Sequence, residues 1–128
     1  MKRTPVNPWD WSTKFGYNQA EIIEGSGRQL ICAGQTSVDA EGNPQDMRGQ
    51  MALALDNLEA VLSAAEMGLA NILRLTIYAT DLDEAMKNFD LLGTRFGPLN
   101  ASPPMTVVGV TRLAIPPLMF EIEATVAD

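Results

Sequence analysis

Two periods of apolar residues divide the chain. Alternation marks a strand with one buried face. It runs through Phe120, Ile122, Ala124 and Val126, with Glu121, Glu123 and Thr125 between them. It recurs at 72–78, where Leu73, Leu75 and Ile77 are expected on one side and Arg74, Thr76 and Tyr78 on the other. Apolar runs at 20–23 and 29–33 flank the turn signal Gly25-Ser26-Gly27 and predict a first hairpin. The runs at 105–113 and 119–126, joined by a proline-rich turn, predict a closing hairpin.

Helical spacing takes over between the strands. Met51, Leu55, Leu58, Leu62 and Ala65 form one apolar stripe, with Gln50, Asn57, Ser63 and Glu66 largely outside it. Asp46 is placed to cap this helix by accepting backbone N–H bonds, and Gly68 suits a left-handed stop. A polar loop is expected over 39–44, before the helix. A second helix opens at Thr80-Asp81, where Asp81 and Glu84 make an acidic capping box. Leu82, Met86, Phe89, Gly93 and Phe96 mark its expected buried side, and Gly97-Pro98 stops it.

The predicted order is therefore strand, strand, helix, strand, helix, strand, strand. This is an α+β domain with two helices on one face of the sheet. The chain reads as one domain over 1–128, with 1–16 as an extended arm. Pro5 and Pro8 in that arm argue against a helix. Trp9 and Trp11 would either cover an edge of the core or line a cleft. The second sheet face, with Tyr78, Val108 and Val110, is expected to be mainly apolar and covered by partner subunits in closed symmetry.

Composition narrows the chemistry. The 128 residues include no histidine, which excludes Ser-His-Asp and Cys-His catalysis and every histidine-containing metal site. One cysteine, Cys32, allows no internal disulfide and suits a reducing cytoplasm. It sits in an apolar run and reads as a buried, inert thiol. Net charge is −7 and the basic residues are scattered, so no cluster can follow a phosphate backbone and nucleic acid is not an expected partner. No apolar run approaches the ~20 residues of a membrane span, and no signal peptide is expected.

Five short segments in order carry a resemblance. They are Ala33-Gly34-Gln35, Leu55-Asp56-Asn57-Leu58, the run from Thr76 to Leu82, Val110-Thr111-Arg112-Leu113 and Glu121-Ile122-Glu123-Ala124. Together they resemble the RidA/YjgF family from about Tyr17 onward. The resemblance implies a chorismate-mutase-like fold and a homotrimer whose sheets form a central barrel. It implies small-ligand clefts between subunits, and hydrolysis of enamines and imines derived from amino acids to a keto acid and ammonia. Some family members are described as translation inhibitors or endoribonucleases.

The same resemblance assigns residues. Glu121 matches the carboxylate that orients or activates water, and Tyr17 a tyrosine of the cleft. Gly34 matches a glycine whose backbone approaches the ligand, and Asn88 falls near a cleft asparagine. Gln35 and Thr106, beside these matched positions, join the expected binding residues. Where the family's deaminases carry an arginine that clamps the substrate carboxylate, this chain has Met105, after Pro103-Pro104. A thioether has neither the charge nor the paired donors of a guanidinium. Arg112 is no substitute, being seven residues along, about 23 Å at strand rise. No metal cage or phosphate-cradling glycine loop is present in the pattern, so no cofactor is expected.

The expected function is thus a small-molecule hydrolase or deaminase acting on an imine- or enamine-like compound, with weak activity on ordinary 2-imino acids. The alternative is a ligand-binding or regulatory trimer without turnover. An endoribonuclease is the least favoured reading.

Overall fold

The structure, a computed structural model, describes residues 1–38, 42 and 46–128. The polar loop expected over 39–44 falls outside the described residues, Gly42 apart. Among the described residues six strands form two sheets: β1 (Lys2–Val6), β2 (Ala20–Glu24), β3 (Gln29–Ile31), β4 (Ile72–Ala79), β5 (Met105–Gly109) and β6 (Phe120–Ala127). β1 and β2 pair with each other, and the larger sheet has the order β3-β6-β4-β5.

The alternation in β6 gives it the central place. Phe120, Ile122, Ala124 and Val126 are all buried, and β6 runs antiparallel to both β3 and β4. The class is α+β, as expected, but neither predicted hairpin forms. β2 pairs with β1, which makes part of the expected arm a strand, and β3 pairs with β6. β5 and β6 are separated by β4, to which β5 is parallel. Adjacent apolar runs around a turn signal show that two strands exist, not which neighbours they choose. Arg3 fixes the β1–β2 pair to the rest: it bonds Glu21 and the carbonyls of Ala70 and Ile72.

Helix α1 (Met47–Ala64) starts where expected, with the Asp46 carboxylate accepting from the Gly49 N–H at 2.7 Å. Its Met51, Leu55, Leu58 and Leu62 are fully buried against the sheet. Gln50 departs from the expected pattern and is also buried. Its carboxamide accepts from the Met119 N–H (2.7 Å) and donates to the Pro117 carbonyl (3.2 Å), which fixes the approach to β6. The left-handed residue at the helix end is Glu66, not Gly68, which is extended.

The second predicted helix is broken into α2 (Leu82–Met86), capped by Asp81, and α3 (Asp90–Phe96). Ala85, Leu92 and Phe96 are buried, whereas Leu82 and Met86 are exposed, contrary to the expected stripe. In β4 a register shift between Ile72 and Arg74 brings Ile72 into the core and leaves Leu73 half-buried.

The face of the sheet away from the helices is not mainly apolar. Glu121, Tyr78 and Val108 are in register across β6, β4 and β5, and Glu123, Thr76 and Thr106 form the next row. Tyr78 donates its hydroxyl to Glu123 at 2.8 Å. That carboxylate holds the phenol's proton, so the Tyr78 pKa is raised.

Candidate functional site

Met105 and Thr106 follow one another on β5 and therefore point to opposite faces. Met105 is in register with buried Leu75 and packs against the core with Val107. Beside them opens a cavity of about 660 Å³ between β5, α3 and the segment before β2. Its size is that of a small-molecule site. Tyr17, Met86, Phe89, Phe96, Met105 and Val107 supply most of its character.

The chain brings Tyr17 to Met105 by backbone contacts. A short 3-10 turn at Thr13–Phe15 ends at Gly16, whose φ of 84° is the left-handed conformation that glycine adopts without strain. Tyr17 then donates its N–H to the Ser12 carbonyl, and Asn18 donates to the Ser102 carbonyl at 3.0 Å. The second bond docks the segment on the loop that leads into β5. Trp11 meets the Tyr17 ring edge-to-face with centroids 6.0 Å apart. Both tryptophans are more than half or half exposed, at 62% for Trp9 and 50% for Trp11, so neither seals the core.

Gly34, Gln35 and Glu121 form a second group. Gln35 exchanges two backbone hydrogen bonds with Ile122, of 2.7 and 2.9 Å, which lays Gly34 beside Glu121. A Cβ built on Gly34 would fall 2.6 Å from the Glu121 Cδ. Only the missing side chain lets the carboxylate rest on the backbone there. Glu121 is half-buried on the sheet face away from the helices. Within one chain, then, Tyr17 and Met105 share a cavity, and Glu121 lies on the other side of the sheet.

Asn88 joins neither group. It donates to the Glu84 carbonyl and accepts from Arg48, which also grips Asp90. The break between α2 and α3 turns it away from the cavity, where Phe89 stands instead. Thr106 lines a separate recess with Arg74, Glu21 and Gln19; Tyr17 and Met105 border both recesses. The cavity's wall on α2 and α3 was missed as a site. Met86, Phe89, Gly93 and Phe96 carry a helical period, and that period reads the same for a core as for a pocket.

Cys32 is buried, and loss of solvent pushes its pKa up, which keeps it a thiol. Among the described residues no cluster of His, Cys, Asp or Glu could hold a metal ion, and no helix is long and apolar enough to cross a membrane.

The family described as Endoribonuclease L-PSP matches residues 11–128. The chain belongs to this family, the RidA/YjgF proteins. The RutC family protein YjgH of Escherichia coli is 30% identical over 115 residues, 89% of this chain and 88% of that one. The Rid-family protein YyfB of Yersinia pestis, of known structure, is 33% identical with a TM-score of 0.83, and each chain is covered in full. E. coli TdcF, solved with bound serine, is 26% identical with a TM-score of 0.72, over 98% of this chain and 93% of that one.

Proposed function

We propose that this protein is a homotrimeric hydrolase of a neutral imine or enamine, and that each site is completed by two copies of the chain. One copy contributes Tyr17 and Met105; its neighbour contributes Gly34, Gln35 and Glu121. The observation that carries this reading is the Glu121 carboxylate resting on Gly34. A glycine there keeps an acid at a fixed place on an exposed face, which suits a group that must meet water.

The chemistry follows from that acid. Water attacks the carbon of the C=N bond as Glu121 accepts its proton, and the nitrogen takes up a proton. The resulting carbinolamine collapses, the C–N bond breaks, and a carbonyl compound and ammonia leave. An enamine is first protonated at carbon to give the imine. Tyr17 supplies a hydroxyl for the nitrogen. Met105 leaves the site without the paired, charged grip that a carboxylated substrate needs.

The bound serine of TdcF supports a small-molecule site on this fold. The ribonuclease in the family's description finds no electrostatic support in a chain of net charge −7. The absence of an arginine at 105 also favours the alternative, a trimer that binds a ligand without turning it over.

The test is ammonia release from a neutral imine generated in the assay, with the mass in solution measured alongside. Glu121→Gln should lower kcat about 10²- to 10⁴-fold, the usual contribution of a general base. Equal rates in the two proteins would defeat the catalytic reading, and a monomeric mass would defeat the shared site. Ligand binding without product would establish the alternative.

A further inference from the structure

We infer that the ligand of the Tyr17–Met105 cavity is a neutral molecule with a bulky apolar group, aromatic or branched, that lodges between α3 and β5. This rests on the cavity being the site proposed above, and goes further by assigning what α2 and α3 contribute.

The cavity's chemistry is lopsided. Its deep wall is built from Phe89, Leu92 and Phe96 of α3 and its preceding turn, faced by Met105 and Val107 of β5. Among the described residues, the polar side chains of its lining are those of Tyr17, Asn100 and Ser102, with no Lys, Arg, Asp or Glu. An ionised carboxylate taken into such a space would lose its water without gaining a counter-ion, a heavily unfavourable exchange. A neutral amide, imine or ketone needs only one or two hydrogen bonds, and three polar side chains offer them. Arg74 lines the other recess, with Glu21 and Thr106, and not this cavity.

The apolar wall is also larger than the core requires. Met86 is 55% exposed and lies at the cavity, where it gains nothing from burial in the folded chain alone. Gly93 opens the wall further. It sits within α3, has no left-handed backbone to explain it, and an added Cβ would meet nothing within 4 Å. A glycine inside a helix is unfavourable relative to almost any other residue. Here its effect is to leave room beside Phe89 and Phe96. Gly93, Met86 and Phe89 are therefore the residues that set the size of the apolar group.

The probes are acetamide, pentanamide and 3-phenylpropanamide, with their matching carboxylates, titrated by calorimetry into the wild-type protein. Affinity for the amides should rise about fourfold per buried methylene. Each carboxylate should bind at least about tenfold more weakly than its amide, for want of a partner. Gly93→Leu fills the space and should remove the dependence on chain length. Met86→Trp, at an exposed position, should weaken 3-phenylpropanamide more than acetamide and serves if the first variant does not fold. A flat amide series, a carboxylate that binds as tightly as its amide, or no amide binding at all would overturn the inference. So would an unchanged series in the folded variants. The same titrations on Glu121→Gln separate the two proposals: size-dependent binding there, with turnover unaffected by the substitution, leaves this inference standing while the role of Glu121 falls.

Discussion

The carboxylate of Glu121 occupies the space in which a side chain on Gly34 would begin. The backbone bonds between Gln35 and Ile122 hold the two residues in that relation. Gly34→Ala should therefore push the carboxylate aside and little else, because the obstructed atoms belong to a flexible side chain. Turnover of a neutral imine should fall about tenfold to a hundredfold, within the range a displaced general base allows, while the thermal midpoint moves little. A large drop in stability with normal turnover per folded molecule would contradict this.

Among the described residues, no cation lines the cavity at Met105. The wild-type protein should show low activity on amino-acid-derived 2-imino acids. Met105→Arg should raise kcat/KM for them about tenfold or more, since a charge-assisted hydrogen bond contributes about 1.5–3 kcal/mol. A coupled assay of ammonia release decides it. High wild-type activity would mean that another group grips the carboxylate, with Arg74 in the neighbouring recess the first to test.

Gln50 ties α1 to the entrance of β6 by bonds to Met119 and Pro117. Gln50→Leu keeps the volume but deprives the half-buried Met119 N–H and the carbonyl of exposed Pro117 of this partner. The loss should be about 1–3 kcal/mol, the cost of one unsatisfied group, since the carbonyl of exposed Pro117 can turn to water. Urea unfolding should show a lower midpoint with an unchanged slope. Glu121 lies two residues beyond Met119, so activity should fall as well.

Asp90 and Asp128 are held below the ordinary carboxylate pKa of 3.8, first by hydrogen bonds from Arg48 and Arg28. The unfolded chain therefore binds these protons at a higher pH than the native one. Their contribution is present above about 3.8 and is lost as pH falls through the lowered native values. An Arg28→Ala, Arg48→Ala double variant should melt slightly below wild type at neutral pH. The gap should narrow as the solution is taken below pH 3.8. Melting curves with a constant gap down to strong acid would argue that the arginines act by packing instead.

Much of the architecture was legible because it is periodic. The stripe from Met51 to Leu62 and the alternation from Phe120 to Val126 each fix one buried face, and Asp46 and Asp81 mark helix starts through a local bond. Pairing was not legible. β3 finds β6 and not β2 because partners are chosen by the whole sheet, which a turn between neighbours does not report. Gln50 looked like a surface residue because its partners are backbone groups nearly seventy positions away. Family likeness put Tyr17, Gly34, Glu121, Met105 and Asn88 in one cleft; within one chain Tyr17 and Met105 share a cavity, Gly34 lies against Glu121, and Asn88 lines neither, because the helix expected to carry it is broken just there. The apolar wall carried no distinguishing mark, since a residue facing a void and one facing a neighbour obey the same period.

β6 comes after every other strand in the chain yet sits inside the sheet, between β3 and β4. On the ribosome both of those strands emerge before their shared partner. Within the larger sheet only the parallel β4–β5 pair can form before β6 is made, and such non-local pairings are slow. The sheet must wait for its middle piece, so a nascent chain shows both open edges to the cell until translation of that last segment is complete.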